Sequence, residues 1–498
     1  MTPAPAGNEW LKTYFKLSDC SFTHSSYIGN NPSLEITTKG NIEQIYGSGY
    51  AVKEDTPLAH LEFALKYDDL NLDFLQAVSS KIDQKQISNY INKTPSGRYA
   101  RKIGFLYEFL TGQELSLQNP ISGNYVDLLD PEKYITGAIA KNTKWRINDN
   151  LLGTAAYCPI VRKTRNLEAL LKKNIKESIE ALKKEYPEAI FSRAIQYLYK
   201  KETKSSFEIE KEEPTEGRME RFVALLAKAG AQPIDEVLQA ESLVRLQNII
   251  VDPRFIANDF RDFQNYVGES LPNGQTLVHY ICPPPTNLKA MMEGLRHTAA
   301  KTNGVDAGVR AAVIAFGFVF IHPFEDGNGR LHRFLIHDIL VHDGIVPQGL
   351  IIPVSAHMLN HIRDYDHILE SYSKPLMQKI KYQLNERGEI TVTQAGKIEG
   401  YFRYPDLTAQ SVYLIETIHA TLQQDMPEEL LFLLRYDEAK HALQNIVDMP
   451  DKEINRMLLF LHQNQGYFPK RRRKEFEKLT DDEIQQMQDA YRTIFEVA

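Results

Sequence analysis

Apolar residues recur at helical spacing along much of the chain after residue 165. One such run predicts a helix over 167–182, and two more predict helices from about 189 to 210 and from 218 to 226. The stretch Ala311–Ile321 is apolar throughout, but a bilayer-spanning helix needs about 20 such residues, so a buried helix is expected. The helix predicted after it ends near Gly344 and carries four apolar residues on one face: Leu331, Phe334, Leu335 and Ile339. These patterns favour a mainly α protein.

The flanking regions have different patterns. The first 165 residues are mixed, with one helix predicted at Pro57–Lys66. Within Arg261–Cys282, aromatic and β-branched residues surround Asn273-Gly274, a pair typical of a β-hairpin turn. Near the end, the helix predicted over Asp451–Asn464 and a short strand at 466–468 together suggest a winged-helix-like fragment. We therefore expect three parts: an N-terminal region of unknown role (1–165), a central, mainly helical domain (166–385) and a helical C-terminal domain (386–498).

Composition narrows the class of protein. The 498 residues include 58 basic and 65 acidic ones, and the net charge of −7 argues against a dedicated nucleic-acid coat or a polybasic membrane binder. The three cysteines are far apart and form no CxxC pair, so a reducing compartment is expected. The N-terminus shows no secretory signal, and no run is long enough to cross a membrane. A soluble, cytoplasmic protein is the expectation.

One segment, His322–Arg333, combines residues suited to phosphate chemistry. Gly327, Asn328 and Gly329 tolerate unusual backbone angles and stand where a helix begins, and the unpaired N–H groups of a helix N-terminus bind anions. Arg330 and Arg333 are three residues apart, hence on one helical face, and two guanidinium groups suit a polyphosphate. Asp326 offers an oxygen ligand for Mg²⁺ bridging phosphates, and His322 can act as a general base near neutral pH.

The same segment resembles the Fic motif, HPFx[D/E]GNGRxxR, at every specified position. The resemblance implies a mainly helical Fic domain over roughly residues 190–385, with a β-hairpin flap, that transfers AMP from ATP to a Tyr, Ser or Thr hydroxyl of a protein target. It assigns deprotonation of that hydroxyl to His322 and binding of Mg²⁺ to Asp326. The backbone around 327–329 would bind the transferred phosphate, and Arg330 and Arg333 would bind the outer phosphates. The segment 363–370 resembles the family's adenine and ribose region, with Tyr365 as the best candidate contact.

A second resemblance concerns regulation. Many Fic proteins carry an inhibitory helix with the pattern [S/T]xxxE[G/N], whose Glu pairs with the second motif arginine. Here Ser206 and Glu210 stand at that spacing, although Lys211 replaces the final Gly or Asn. The resemblance implies that Glu210 occupies Arg333 and lowers AMP transfer in the resting state. Some family members use this Glu to remove AMP from modified targets, and that activity stays open.

Other interpretations remain open. An enzyme of the same fold could transfer phosphate, UMP or phosphocholine instead of AMP. The basic run 470–474 could contact DNA in a regulator, but the acidic residues that follow it and the negative net charge favour a solvated turn. His357 and His361 have zinc-like spacing but lack the neighbouring Glu of a zinc protease. Self-modification and a homodimer also remain open; binding of nucleic acid or a membrane is not expected.

Overall fold

The structure is a computed structural model that describes residues 2–37, 41–272, 274–385, 387–393, 396 and 398–496. The N-terminal region mixes small sheets with helices. One sheet has the order β1-β2-β4-β3, in which β2 and β4 are parallel, and a second has the order β5-β7-β6. The strands are β1 (Ala4–Ala6), β2 (His24–Ile28), β3 (Ser33–Ile36), β4 (Ile42–Tyr46), β5 (Val126–Asp127), β6 (Ala140–Asn142) and β7 (Ile147–Asp149). The helices are α1 (Gly7–Tyr14), α2 (Pro57–Tyr67), α3 (Leu72–Ser79), α4 (Gln84–Lys93) and α5 (Arg98–Thr111).

The N-terminal region has its own hydrophobic core, centred on Trp145. The indole ring packs directly on Gly104 of α5, where a Cβ atom would lie 2.2 Å from it. Its ring N–H donates to Glu108 (2.7 Å), so the one polar group of this buried side chain is satisfied. This region contains both strands and helices, in agreement with the mixed pattern of its sequence.

The middle of the chain is a helical domain with one hairpin. Its helices are α6 (Arg165–Leu171), α7 (Ile175–Glu185), α8 (Glu188–Ile209), α9 (Glu216–Leu226), α10 (Ile234–Val237), α11 (Ala240–Ile250), α12 (Pro285–Lys301), α13 (Ala307–Ile321), α14 (Asn328–His342), α15 (Val354–Asn360) and α16 (Ile362–Lys379). The hairpin strands are β8 (Tyr266–Ser270) and β9 (Thr276–Ile281). The helix predicted over 167–182 is two helices, because the Asn174 side chain accepts from the N–H groups of Lys176 and Glu177 and starts α7 anew.

Helix α13 is the central element of this domain. It is buried on nearly every side, as its apolar sequence predicted, and it packs against α12, α14 and α18 (Thr408–Ala420). Each buried Phe or Val contributes about 1.5–3 kcal/mol of transfer free energy. The Asp306 side chain caps its N-terminus by accepting from two backbone N–H groups (2.9 and 3.2 Å). The loop that follows α13 is therefore anchored on the most deeply buried helix of the domain.

The remaining elements are the hairpin β10 (Lys381–Leu384) and β11 (Ile390–Thr393), then α17 (Glu399–Arg403), α18, α19 (Met426–Ile446), α20 (Asp451–Gln463) and α21 (Asp481–Phe495). Helices α18 and α19 are joined by a π-helical turn at Thr421–Asp425. The first part of α19 packs on the core of the helical domain described above, and its second part packs on α20 and α21. The boundaries near residues 165 and 385 stay predictions.

The short strand predicted at 466–468 is not formed. Gln465 and Gly466 both adopt left-handed backbone angles (φ 53° and 84°), which turn the chain out of α20. The N–H of Phe468 then donates to the side chain of Gln488 rather than to a strand, and a 3₁₀ helix follows at Lys470–Phe476. This segment is therefore not the wing of a winged helix. Among the described residues, no helix is long and apolar enough to cross a membrane.

Candidate functional site

The loop between α13 and α14 is closed by its own side chains. The Asn328 amide accepts from the N–H of Phe324 (3.0 Å) and donates to the Phe324 carbonyl (2.9 Å). The Phe324 ring is fully buried, so the middle of the loop is anchored in the core. Gly327 adopts a left-handed conformation (φ 90°) immediately before α14, a geometry that favours glycine. These contacts fix the loop at the N-terminus of α14.

A carboxylate lies beside the N-terminus of α14. The first intrahelical hydrogen bond runs from Leu331 N–H to the Gly327 carbonyl, so the N–H groups of 328–330 lie before it and face outward. A Cβ atom on Gly329 would lie only 2.0 Å from Glu210 Oε1. Glu210 comes from the end of α8, far away in sequence. Its carboxylate therefore lies against the first turn of α14, the part of a helix that attracts anions.

Arg333 binds the same carboxylate. Its guanidinium donates to Glu210 Oε1 (2.7 Å), to the Ser206 hydroxyl (2.8 Å) and to the Ser206 carbonyl (2.7 Å). It also reaches the Tyr365 hydroxyl at 3.4 Å. Burial alone would lower the pKa of Arg333, but the Glu210 carboxylate and the Tyr365 hydroxyl together outweigh burial and the pKa is raised. The structure thus brings Ser206, Glu210, Arg333 and Tyr365 together.

Arg330 is held by two carboxylates, and neither contact was expected from the sequence. Its guanidinium pairs with Asp326 (2.5 Å) and with Glu212 (2.9 Å), and it lies over the Phe207 ring at 5.2 Å. Glu212 also pairs with Arg218 of α9 (2.9 Å). The only sequence signal for Glu212 was its place in an acidic stretch, which looked like a solvated surface.

Lys211 stands where the inhibitory pattern has Gly or Asn. The backbone conformation at this position explains why the pattern has those residues. It adopts a left-handed conformation (φ 58°) at the end of α8. The Glu212 N–H donates back to the Phe207 carbonyl (3.1 Å), which is the closing hydrogen bond of a Schellman motif. Gly or Asn is favoured at this position because an L side chain strains the backbone there. Lys211 carries that strain while Glu210 keeps its contact with Arg333.

A buried network fixes α8 against the motif helix one turn beyond Arg333. The Glu202 carboxylate accepts from His337 Nε2 (2.7 Å) on α14 and from the backbone N–H of Ser355 (2.8 Å) on α15. Glu202 and His337 are 1% and 3% exposed at their side chains. Because charge-assisted hydrogen bonds at low dielectric are strong, this network holds the helix that carries Glu210.

His322 is oriented for use of its Nε2 atom. It stands at the end of α13 in a left-handed conformation (φ 54°, ψ 60°), and its Nδ1 lies 3.1 Å from the Val319 carbonyl. A carbonyl only accepts, so Nδ1 carries the proton and Nε2 keeps its lone pair. Burial, and next the charge of Arg261, lower the pKa of His322 to about 4, whereas Glu210 and Asp326 act in the opposite direction. The imidazole is therefore neutral at physiological pH.

Asp326 is the one predicted metal ligand of the loop. Its carboxylate accepts from Gly327 N–H (2.6 Å) and pairs with Arg330, and its side chain is 34% exposed. Among the described residues, no group of three or more His, Cys, Asp or Glu side chains could hold a metal ion. A single carboxylate beside two arginines fits Mg²⁺ held jointly with phosphate oxygens, because Mg²⁺ commonly takes one or two protein carboxylates together with substrate phosphates.

The predicted hairpin is present as β8 and β9, with an irregular register at Val267 and Gly268. Asn273 lies outside the described residues. The Tyr280 hydroxyl donates to the Phe320 carbonyl of α13, which ties the hairpin to the helix that precedes the loop. Val267 and Leu277 expose apolar side chains on this flap.

Two other sequence candidates lie away from the loop. His357 and His361 stack on each other at 4.2 Å, and His357 pairs with Asp425 (2.7 Å), which is a structural arrangement. In the basic run, Arg472 pairs with Glu475 and Arg473 with Asp481. This local pairing agrees with the solvated turn that the sequence favoured.

Residues 237–340 match the sequence model of the Fic/DOC family, so the chain carries a Fic/DOC-family domain. No curated protein matches the chain. Among solved structures, a Fic family protein from Desulfovibrio desulfuricans G20 is 16% identical over 66% of this chain and 87% of its own, with a TM-score of 0.38. A Fic domain containing signaling protein from Bacteroides thetaiotaomicron VPI-5482 is 17% identical over 53% of this chain and 98% of its own, with a TM-score of 0.34. Fic-family proteins are in general transferases of nucleotidyl groups.

Proposed function

We propose that this chain transfers AMP from ATP to a hydroxyl side chain of a protein target and that Glu210 inhibits the transfer in the resting state. The observation that carries the proposal is the Glu210 carboxylate seated between Gly329 and Arg333. A site that holds a carboxylate between a helix N-terminus and a buried guanidinium also suits a phosphate, which has the same charge sign and more acceptor oxygens.

The chemical step follows from the position of His322. The hydroxyl oxygen of the target attacks the α-phosphorus of ATP, the bond from that phosphorus to the α,β-bridging oxygen breaks, and pyrophosphate leaves. Because Nδ1 is occupied by the Val319 carbonyl, Nε2 is the atom that accepts the hydroxyl proton. The N–H groups of 328–330 would stabilise charge on the transferring phosphate, and Arg330 and Arg333 would bind the outer phosphates. Mg²⁺ held by Asp326 and the phosphates would neutralise charge on the leaving group.

Inhibition follows from competition for Arg333. In the resting state its Nε and Nη2 atoms are taken by Glu210 and Ser206, and Tyr365 lies against the same guanidinium. A phosphate can bind Arg333 fully only after the Glu210 carboxylate has left. The target itself would dock on the flap, where a segment could add as a strand beside exposed Val267 or Leu277.

The transferred group is tested with labelled nucleotides and the Glu210→Gly variant, in the presence of Mg²⁺ and either the protein alone or a host lysate. Protein-bound label from α-labelled ATP, and none from γ-labelled ATP, is expected. Label from γ-labelled ATP would instead indicate phosphoryl transfer. Transfer from UTP or CDP-choline in preference to ATP would contradict AMP as the group. Glu208→Gln is the matched control, because Glu208 lies on the same helix and pairs only at the surface with Lys204.

A further inference from the structure

Arg261, in the segment before the flap, is a buried arginine whose hydrogen-bond partners are carbonyl groups. Its Nε donates to the His322 carbonyl (2.8 Å), Nη1 to the Phe263 carbonyl (2.7 Å) and Nη2 to the Pro283 carbonyl (2.7 Å). The backbone N–H of Arg261 donates to Pro323 (2.9 Å). Only 6% of the residue is exposed. One side chain therefore connects the motif loop with both ends of the flap.

Burying the Arg261 cation costs free energy of folding unless its charge serves a purpose. Among the residues that the structure describes, no carboxylate lies within ion-pair distance of Arg261. Burial lowers the pKa of its guanidinium. A neutral side chain could hold two of these segments together without placing an uncompensated cation in the interior. The bonded carbonyl dipoles stabilise the cation, and one of these carbonyls belongs to His322.

His322 needs such support because its backbone is strained. A non-glycine residue in the left-handed region costs about 1 kcal/mol or more and persists only where its surroundings fix it. Two hydrogen bonds fix it here: Nδ1 to the Val319 carbonyl holds the ring, and Arg261 holds the carbonyl of the residue. Removing the second bond frees the peptide that sets the direction of the ring.

We propose that Arg261 is a positioning residue for His322: it holds the His322 carbonyl and both ends of the flap, and so aims Nε2 at the docked hydroxyl. The inference rests on the proposed function, because it assigns Arg261 a part in the same proton transfer. It also links target docking with catalysis, since the carbonyls of Phe263 and Pro283 frame the flap on which a target segment would lie.

The charge of Arg261 supports this assignment. It is the second cause, after burial, that lowers the pKa of His322 to about 4. The other charged groups that act on His322 are Glu210 and Asp326, and both raise its pKa. A base that is never protonated near neutral pH is always ready to accept the hydroxyl proton.

The test measures the ATP-free protein first, so that it does not depend on the proposed reaction. The protein contains 14 histidines, and the ring resonance of His322 in ¹³C-histidine-labelled protein is assigned by its loss in His322→Ala. In Arg261→Met the pKa of His322 should rise by about one pH unit or more, since a nearby cation has been removed. Amide hydrogen exchange over the loop and the flap should accelerate in the same variant.

Two further variants separate charge from geometry. Arg261→Lys keeps the cation but cannot reach three carbonyls, so it should keep the low pKa of His322 and still accelerate exchange in the loop. Arg254→Met is the matched control, because Arg254 is a neighbouring, exposed arginine paired with Asp252. Arg254→Met should change neither the pKa of His322 nor the hydrogen exchange of the loop. If Arg261→Met and Arg261→Lys both fold and leave the His322 pKa and the loop exchange unchanged, the inference is wrong.

Activity is measured separately in the Glu210→Gly background. There, Arg261→Met and Arg261→Lys should each lower kcat by about 100-fold, the loss expected when a catalytic group is misplaced by about 1 Å, with little change in KM for ATP. A loss confined to KM for ATP would contradict a role through His322. A lack of transfer in Glu210→Gly itself would count against the proposed function, while the pKa and exchange results would still decide the role of Arg261.

Discussion

Replacement of Glu210 by Gly should strengthen the binding of Mg-ATP, because the nucleotide no longer competes with a carboxylate for Arg333. A charge-assisted hydrogen bond contributes about 1.5–3 kcal/mol. The Arg333 side chain is 1% exposed but that of Glu210 is 34% exposed, so the lower half of that range applies. A value of about 2 kcal/mol corresponds to roughly 30-fold in affinity, since 1.4 kcal/mol is tenfold.

The assay is an equilibrium titration with Mg²⁺ and a non-transferable α,β-methylene analogue of ATP, so that binding is measured without turnover. Glu210→Gln keeps the shape of the side chain but removes its charge, and its affinity should lie between those of the natural protein and Glu210→Gly. Glu208→Gln should bind like the natural protein. Equal affinity of Glu210→Gly and the natural protein would refute the competition on which the inhibition rests.

Three further predictions concern single side chains. Lys211→Gly should relieve about 1 kcal/mol of backbone strain at the end of α8; the melting temperature should rise and the resting transfer rate should fall, and an unchanged melting temperature would contradict the strain. Glu212→Gln, added to Glu210→Gly, should raise AMP transfer several-fold because one of the two carboxylates that hold Arg330 loses its charge, and a lower rate would show that Glu212 positions Arg330 instead. Burial raises the pKa of Asp68 to about 7. The folded protein therefore keeps a proton that the unfolded chain releases near pH 4. Because of this difference, the free energy of unfolding falls as the pH rises from about 4 to about 7. Asp68→Asn should remove this pH dependence, which amounts to roughly 4 kcal/mol of unfolding free energy at most. Urea titrations of both proteins at pH 5 and pH 8 check it.

The sequence was most informative where residues close in the chain act together. The loop from His322 to Arg333 could be placed between two helices because an apolar run precedes it and a periodic run follows it. The structure brings the predicted site residues together, including Glu210 and Ser206 from α8, over 100 positions earlier in the chain. That pairing came from a family pattern rather than from local physics.

The sequence was least informative where long-range packing decides. Arg261 and Glu212 act on the loop from segments far from it, and neither has a local pattern that separates it from a surface charge. The strand predicted at 466–468 failed for a local reason: two successive left-handed residues turn the chain, and the N–H of Phe468 donates to the side chain of Gln488. The continuous helical spacing over 167–182 concealed the new start at Asn174, whose capping side chain was the available signal.

The most direct test of the central claim is transfer of label from α-labelled ATP with Mg²⁺ in four proteins: the natural chain, Glu210→Gly, His322→Ala, and Glu210→Gly with His322→Ala. We expect strong labelling of a protein only with Glu210→Gly, weak labelling with the natural chain, and none with either His322→Ala protein. Labelling that persists in the double variant would contradict His322 as the base. Equal labelling by the natural chain and Glu210→Gly would contradict inhibition by Glu210.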